Sequence, residues 1–337
     1  MLKLKNIEKI QFDDFVCNHK SKSHFLQSLS WGEFAKAKKN LTPYYLGLVN
    51  EKDEIVGATL LLKKSLPMGY SYFYAPRGFV VDYKKKELVR TMSEKVVEFA
   101  RGKKAIFVKI DPDIIKTSFN YLNEETVNKD FDVIFDTLKS CKFKHQGFTK
   151  NFETMQPRYT FRIDLTQDLE DIENHFSKTT KRRINKSEKL DTEVVIGTKD
   201  DIEEFYHLMT LTESRKDFIS YTKDYYETLY EIFNSNEKSK ATLFLGKVVF
   251  DKLNYDETDV GNTYTYTISE VNDGKAGYTY DERVHNISVS ISDNGDGTLA
   301  ITATGKDDIV FRNLYNAKGS IVLSLNKMYH NATVLGG

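Results

Sequence analysis

The stretch Tyr44-Tyr-Leu-Gly-Leu-Val49, Asn50-Glu-Lys-Asp53, Glu54-Ile-Val-Gly-Ala-Thr-Leu-Leu-Leu62 predicts two strands joined by a short polar turn. Two amphipathic patterns precede it, over Ile7–Asn18 and Ser30–Lys39, and each predicts a helix. Ser30 is the expected N-cap of the second helix, because Glu33 follows at capping-box spacing. Helices next to strands of this kind predict an α/β layered fold.

The same alternation continues to about residue 247. It predicts the following strands and helices: a short aromatic strand at Tyr72–Tyr74, helix Lys86–Ala100, strand Ala105–Ile110, helix Asp130–Cys141, strand Tyr159–Leu165, helices Leu169–Phe176 and Thr179–Lys189, strand Glu193–Ile196, helices Asp200–Glu213 and Lys223–Asn234, and strand Ala241–Leu245. This order favours helices that cover a mixed sheet.

From Val248 onward, period-2 alternation replaces the mixed pattern. Asn262–Glu270, His285–Ile291 and Leu299–Thr304 predict strands, and Asp293-Asn-Gly-Asp-Gly-Thr298 predicts a tight hairpin turn. Short strands spaced by turn clusters indicate an all-β sandwich. Residues 248–337 carry 7 basic and 12 acidic side chains, whereas the rest carries 42 and 37, so two units with different surroundings are expected.

The composition is that of a folded protein. The 337 residues are 40% hydrophobic, 29% charged and 13% aromatic, which excludes a disordered or collagen-like chain. No apolar run approaches the length of a membrane-spanning helix. Cys17 and Cys141 are too few for a disulfide framework or a cysteine-ligated zinc site. The first eight residues lack a signal peptide's apolar region, so we expect a cytoplasmic N-terminus.

Five motifs, in order and in register, resemble the Fem family of non-ribosomal peptidyltransferases. They are Ser30-Trp-Gly-Glu-Phe34 with Pro43-Tyr-Tyr-Leu-Gly47, Tyr72-Phe-Tyr-Ala-Pro-Arg-Gly78, Phe107-Val-Lys-Ile-Asp-Pro112, Gln156-Pro-Arg-Tyr-Thr160, and Lys178-Thr-Thr-Lys-Arg-Arg-Ile-Asn185. The resemblance implies two tandem acetyltransferase-like (GNAT-type) α/β domains, in the compact form without a coiled-coil arm. It implies transfer of an amino acid from aminoacyl-tRNA to the stem peptide of lipid II or a UDP-linked muropeptide precursor. It also implies a monomer in peripheral contact with the inner membrane face.

The resemblance implies substrate contacts at Lys36 and Tyr225. Arg77 ends an aromatic edge and could hold a phosphate or carboxylate by paired hydrogen bonds. For Arg77 the alternative is a solvated side chain beside a core strand, and for Lys36 it is a solvated helix face. Tyr221 occupies a position where the family carries Arg, so Arg215 or Lys223 would have to substitute.

Six basic residues within Lys178–Lys189 could neutralise phosphates of a tRNA or a lipid pyrophosphate, with Lys181, Arg182 and Arg183 at the centre. A solvated helix is the ordinary alternative. Asp111-Pro112-Asp113 favours a strand-ending turn over a catalytic carboxylate pair, because no His or metal-spaced partner is near. We expect no cofactor and no metal.

Residues 248 to about 316 resemble the streptococcal-type pilin isopeptide-bond domain. The motifs are Asn262–Val271, Gly277-Tyr-Thr-Tyr-Asp281, Ser292–Thr298 and Phe311-Arg-Asn-Leu-Tyr315. The resemblance implies that Glu270 is the assisting acid and Asn313 the bond-forming amide, and that Lys327 is the bond-forming residue of a following repeat. The first-strand Lys that would pair with Asn313 has no match.

Together these resemblances predict acetyltransferase-like domain 1 at 1–150, a partial domain 2 at 151–247, a pilin-type β-sandwich at 248–317 and a further first strand at 318–337. Both resemblances break off at Lys247, so we expect a chimeric chain. No residue matches the family's catalytic Lys, so we expect impaired transfer activity. A cell-surface pilin-like structural protein and a basic nucleic-acid binder are the alternatives.

Overall fold

A computed structural model describes residues 2–19, 24–146, 160–189, 192–216, 218–248, 253–272 and 278–305, together with 274, 309, 311, 314 and 315. The chain folds into two compact units, Met1–Phe250 and Asp251–Gly337. The first unit confirms the expected α/β architecture.

A five-stranded sheet forms the centre of the first unit. Its strands lie in sequence order: β1 (Lys3–Asn6), β2 (Thr42–Val49), β3 (Ile55–Ser65), β4 (Ser71–Ala75) and β5 (Ala105–Ile110). The first four strands pair antiparallel, and β4 pairs parallel with β5. The sheet is therefore mixed, as the sequence predicts.

Four helices cover the two faces of this sheet: α1 (Lys9–Asn18), α2 (Leu29–Lys39), α3 (Lys86–Arg101) and α4 (Phe131–Ser140). Successive strand residues point to opposite faces. Leu60 and Leu62 accordingly pack with α1 and α2 residues, whereas Leu61 packs with α3 residues such as Met92. The middle of β3 is buried on both faces, which explains its continuous apolar run.

The rest of the first unit consists of small ribbons and helices. These elements are β6 (Thr117–Phe119), β7 (Glu125–Val127), α5 (Leu169–Asn174), α6 (Lys178–Glu188), β8 (Thr192–Gly197), α7 (Ile202–Lys216), α8 (Lys223–Asn234) and β9 (Leu243–Val248). Strands β6 and β7 form one antiparallel pair, and β8 and β9 form another. The sequence pattern does not predict β1, β6 or β7, which have only three or four residues each.

Two local predictions are wrong. Ser28, not Ser30, caps α2: its hydroxyl accepts a hydrogen bond from the Trp31 amide at 3.1 Å. Glu33 is already engaged, because it accepts a hydrogen bond from the Tyr45 hydroxyl at 2.7 Å. The predicted strand Tyr159–Leu165 has no strand structure over residues 160–165, because no neighbouring strand pairs with it among the described residues.

The second unit contains short β-strands. β10 (Thr263–Ser269), β12 (Val284–Asp293) and β13 (Leu299–Thr304) form an antiparallel sheet, and β11 (Tyr278–Thr279) pairs with β14 (Leu314–Tyr315). The predicted turn connects β12 and β13, with Gly295 and Gly297 at positive φ. Val289 and Ile291 are its buried apolar side chains among the described residues.

Membrane-spanning helices and metal-binding clusters are both absent from the described residues. None of the helices described above combines the length and hydrophobicity needed to cross a bilayer. No group of three or more His, Cys, Asp or Glu side chains within the described ranges is placed to hold a metal ion.

Candidate functional site

An open groove of about 570 Å³ lies in the first unit, between the last turn of α2 and the start of α8. It is lined by Lys38, Lys39, Ser220, Tyr221, Thr222, Asp224 and Tyr225. Two ammonium groups and two phenolic rings thus surround one space. Such a lining suits a ligand that carries both an anionic group and a flat or apolar surface.

Helix periodicity decides which lysines of α2 reach this groove. Phe34 and Lys38 are four residues apart and share a face, and that face meets α8. Lys36 lies between them in sequence, is exposed and does not line the groove. The α2 side chains that line the groove are therefore Lys38 and Lys39, which the family resemblance alone does not select.

The two groove lysines differ in their surroundings. The Lys38 ammonium forms an ion pair with Asp224 of α8. The Lys39 ammonium lies 4.6 Å from the centre of the Trp31 ring, a cation–π geometry. Burial lowers the pKa of Lys39 from its ordinary value. Lys39 has no carboxylate partner among the described residues, so it is the cation better placed to meet an anion.

Tyr225 lies at the centre of an aromatic cluster beside the groove. Its ring meets Phe34 edge-on with centroids 4.8 Å apart, and it stacks on Tyr221 at 3.9 Å with the planes 7° apart. Burial, together with the Tyr221 hydroxyl, raises the pKa of Tyr225 to about 12. The Tyr225 hydroxyl therefore stays protonated at pH 7 and lies beside that of Tyr221.

Of the two proposed substitutes for the family's Arg, Lys223 does not line the groove. Lys223 is paired with Glu203 and Glu227, on the neighbouring helix and its own. The side chain of Arg215 lies outside the described residues. Tyr221 precedes α8 instead of lying within it, and its ring stacks on Tyr225.

Polar contacts hold α8 and the turn after it against α1 and α2. Asn236 donates to the Asp13 carboxylate at 2.8 Å, and Lys238 forms an ion pair with Asp14. Ser30 and Ser239 join through their hydroxyl groups. These contacts fix the two walls of the groove, and they explain why Ser30 is buried instead of capping the helix.

Arg77 occupies a strained turn at the end of β4. The Gly78 amide donates to the Ala75 carbonyl, which places Arg77 at the third position with φ 59°. Asp111 holds this turn: its carboxylate accepts from the Arg77 amide at 2.7 Å and from the Tyr74 hydroxyl at 3.1 Å. Burial raises the pKa of Asp111, although these bonds oppose the shift.

The charge and hydrogen-bond donors of the Arg77 guanidinium are only partly paired. Its side chain is 13% exposed, and Nη1 lies 3.9 Å from Asp113. Arg77 Nε is buried without a hydrogen bond. Asp113 instead receives two bonds from Arg162, at 2.9 and 2.7 Å. Asp111 and Asp113 follow β5 directly, as predicted, and each carboxylate is committed to a structural contact.

The basic helix α6 presents its charge to solvent. Arg182 and Arg183 are exposed and Lys181 is half-buried. The side chain of Ser177 caps the helix by accepting from the Thr180 amide. None of the three cations forms an ion pair with another described residue. The helix therefore offers unneutralised positive charge to a polyanion.

In the second unit, Glu270 follows directly after β10, and one of its carboxylate oxygens is buried. The other two residues of the isopeptide prediction, Asn313 and Lys327, lie outside the described residues.

Similarity to known proteins covers most of the first unit and extends past it. A model of the FemAB family matches residues 7–272. The chain belongs to the FemAB family. It is 30% identical over 248 residues to proteins called lipid II:glycine glycyltransferase from Staphylococcus aureus, including that of the bovine strain RF122. That match covers 72% of this chain and 54% of the relative, so the chain spans about half the length of these curated relatives.

Among solved structures, a crystal structure of FemX matches with a TM-score of 0.63 and 28% identity, over 73% of this chain and 58% of that one. These matches confirm the Fem resemblance and the α/β fold. None of them shows a pilin isopeptide domain, so that resemblance stays a prediction.

Proposed function

We propose that this FemAB family member is an aminoacyltransferase that adds an amino acid from aminoacyl-tRNA to the stem peptide of a peptidoglycan precursor. The observation that carries the proposal is the match to lipid II:glycine glycyltransferases over 248 residues. The two helices that form the groove walls belong to the family region, because the family model spans residues 7–272. The tandem acetyltransferase-like arrangement is part of the same proposal.

In this proposal the groove between α2 and α8 binds the acceptor, which is lipid II or a UDP-linked muropeptide. Both acceptors carry a pyrophosphate, and the Lys39 ammonium provides the positive charge to meet it. Tyr225 donates a hydrogen bond from its neutral hydroxyl. Lys36, exposed on the same helix, and Arg77, at the end of β4, are proposed as further contacts to the extended substrate.

The donor is a tRNA, and α6 is the proposed surface for it. Lys181, Arg182 and Arg183 lie within one helical turn and carry charge that no described acid neutralises. Neutralising phosphates releases counterions and stabilises the complex.

The transferase part is proposed to act in the cytoplasm as a monomer, at the inner face of the membrane where a lipid-linked acceptor lies.

The chemistry is aminolysis of an ester. The acceptor amine loses a proton as it attacks the aminoacyl carbonyl, the ester C–O bond breaks, and the 3′ oxygen of the tRNA leaves with a proton. The negative charge that develops on the carbonyl oxygen needs a positioned donor, and losing such a donor costs about 10²–10³ in rate. We propose that no residue of this chain inherits the family's catalytic Lys and that transfer is therefore slow. The chimeric origin is proposed separately, from the break between the two sequence resemblances at Lys247.

The test is transfer of radiolabelled glycine from charged tRNA to lipid II and, separately, to a UDP-linked pentapeptide, with the full chain as enzyme. Label in the precursor above the rate without protein supports the proposal. The control is Lys39→Ala, which removes one of the two groove cations and is expected to raise KM more than it lowers kcat. Equal rates with and without protein for both acceptors would overturn the proposed activity.

The alternative function is a cell-surface structural protein with an intramolecular isopeptide bond. The buried carboxylate oxygen of Glu270 favours it, because the pilin resemblance gives this side chain the assisting role. An intact mass short by one ammonia supports this alternative, and an unmodified mass excludes it.

A further inference from the structure

The loop between β3 and β4 carries exposed apolar side chains at one end of the five-stranded sheet. Met68 at its tip is 87% exposed, and Tyr70 is 48% exposed. The Leu66 amide donates to the Tyr70 carbonyl at 2.8 Å, and the Tyr70 amide donates to the Pro67 carbonyl at 3.3 Å. The exposed side chains therefore belong to a turn that is closed by its own backbone hydrogen bonds.

Met68 lies in a backbone conformation that a side chain disfavours. Its φ is 56°, and Gly69 beside it has φ 74°. Turns with positive φ at both central residues usually carry Asn, Asp or Gly, because a Cβ is strained there. What methionine adds at this position is a long apolar side chain in solvent. Such a side chain is suited to a contact outside the fold.

Lysines surround this loop on the adjoining strands. Lys63 and Lys64 precede the last residue of β3, and Lys104 directly precedes β5. The Lys104 carbonyl accepts a hydrogen bond from the Ser71 amide at 3.1 Å, which places Lys104 beside the start of β4. A strand advances about 3.3 Å per residue, so the three lysine backbones lie within about 10 Å of the loop. That distance is comparable to the Debye length of about 8 Å at physiological salt, so their positive potential reaches the tip.

The described residues around the loop give these three lysines no acidic partner. The sequence ranges 55–81 and 99–110, which form the loop and the strands beside it, contain no Asp or Glu. None of the three lysines forms an ion pair with another described residue. The last acid of α3, Glu98, pairs with Lys95 at 2.9 Å. This end of the sheet thus combines an exposed apolar tip with local positive charge.

We propose that this loop and its lysines form the surface by which the chain docks on an anionic phospholipid bilayer. The surface is defined by Lys63, Lys64, Met68, Tyr70 and Lys104. Met68 enters the boundary between headgroups and acyl chains, and Tyr70 lies at the interface with its hydroxyl in water. The ammonium groups meet the lipid phosphates. The inference rests on the proposed function only in assigning the lipid to the inner leaflet.

The α2 wall of the groove lies near the same end of the sheet. Lys39 ends α2, and Thr42 begins β2 three residues later. Thr42 is the register partner of Lys63 in β3. Docking through this surface therefore brings the last turn of α2 near the bilayer, where a lipid-linked acceptor carries its pyrophosphate.

A nucleic acid accounts for only part of these features. Its phosphates would meet the lysines, but they give no reason for an exposed methionine at the tip. The hairpin of β6 and β7 provides a contrast within the same unit. Tyr121 and Leu122 at its tip are each 59% exposed. Glu124 and Glu125 follow them, so an anionic surface would repel this hairpin.

The test is sedimentation of the full chain with vesicles of phosphatidylglycerol and phosphatidylethanolamine, and separately with vesicles of phosphatidylcholine alone. We expect about 20-fold tighter binding to the anionic vesicles. Lys63→Gln combined with Lys64→Gln should weaken that binding about 20-fold in low salt, because each lysine near an anionic surface contributes about fivefold. In about 1 M salt, where the Debye length is about 3 Å, this variant and the wild type should bind equally.

Met68→Asn separates the apolar contact from the charge. Asn tolerates the left-handed conformation at this position, so the turn should fold as before. Losing the inserted apolar side chain should weaken vesicle binding about tenfold, in low and in high salt alike. Leu122→Asn on the β6–β7 hairpin is the matched control and should leave vesicle binding unchanged.

Equal binding to anionic and neutral vesicles, or no binding to either, would overturn the proposal, as would equal weakening by the Met68 and Leu122 variants. Weaker tRNA binding with unchanged vesicle binding in the lysine variant would replace the bilayer with a nucleic acid. Self-association of the chain that Met68→Asn abolishes would make a second copy the occupant. None of these measurements uses a peptidoglycan precursor, so their failure leaves the proposed transfer activity standing. A chain that binds vesicles but transfers no glycine would contradict only that activity.

Discussion

The ring of Tyr225 lies edge-on against Phe34, with ring centroids 4.8 Å apart, and this contact joins α8 to α2 at the wall of the groove. Phe34 is fully buried, whereas Tyr225 belongs to the groove lining. Substitutions at Phe34 and Tyr225 should therefore separate an effect on packing from an effect on ligand binding.

Tyr225→Phe keeps the ring contact and removes the hydroxyl. We expect the free energy of unfolding to change by less than about 1 kcal/mol, while precursor affinity falls about fivefold through the loss of one hydrogen bond. Phe34→Ala is expected to cost about 3–5 kcal/mol, because it empties a buried site. Urea denaturation and calorimetric titration with the UDP-linked precursor measure both effects. Unchanged affinity in Tyr225→Phe would remove the hydroxyl from the binding site.

The N-cap of α2 gives a prediction that compares two serine variants. Ser28→Ala removes the acceptor for the Trp31 amide and is expected to destabilise the protein by about 1 kcal/mol. Ser30→Ala removes the contact with Ser239 and leaves the cap intact. Hydrogen exchange of the Trp31 amide distinguishes them: it should accelerate in the Ser28 variant and stay slow in the Ser30 variant. The opposite order would restore Ser30 as the cap.

Arg77 is held at φ 59°, where glycine carries no steric penalty. Arg77→Gly relieves about 1 kcal/mol of backbone strain. We therefore expect unfolding free energy that is unchanged or slightly higher, together with about tenfold weaker precursor binding. Arg77→Lys, which keeps the charge but loses the guanidinium fork, is the control and should bind at an intermediate level. Normal binding by Arg77→Gly would show that Arg77 contacts no substrate.

Asp111 predicts a pH effect on stability. Burial raises the pKa of its carboxyl in the folded state, so between 3.8 and the raised value the folded chain binds more protons than the unfolded one. This group's contribution to stability therefore falls as pH rises through that interval. The side chain of the Asp111→Asn variant cannot titrate. The unfolding free energy of the wild type minus that of the variant, measured by urea denaturation, should therefore decline as the pH is raised from acid to neutral. A difference that rises with pH would contradict a raised pKa.

The basic helix predicts a salt effect on tRNA binding. Replacing Lys181, Arg182 and Arg183 by Gln should weaken binding and reduce the slope of log affinity against log salt by about 2–3. The matched control replaces Arg90, Lys95 and Arg101 on α3, where Arg90 and Lys95 already pair with acids. Equal slopes in the two triple variants would mean that α6 is not the tRNA surface.

Local pattern was enough for many elements. The strand Ala105–Ile110, helix Lys223–Asn234 and strand Leu299–Thr304 have the bounds that the sequence predicts. The helix has a helical apolar period, and the two strands are short runs rich in β-branched residues, so the residues of each segment specify its structure. The family motifs also come from the sequence alone, and the comparisons confirm the Fem family.

The site required three-dimensional information. Lys36 and Lys38 are two residues apart and lie on different sides of α2, and only Lys38 is on the face that meets α8. The choice of Ser28 over Ser30 as the cap required the tertiary structure, because the Ser30 hydroxyl bonds that of Ser239, more than 200 residues away. The segment at 160–165 has a strand's pattern but pairs with no strand among the described residues.

The sequence by itself determined which segments form helices and which family the chain belongs to, since both depend on local pattern. Tertiary structure decided which lysine meets the groove and which serine caps the helix, because distant elements set both.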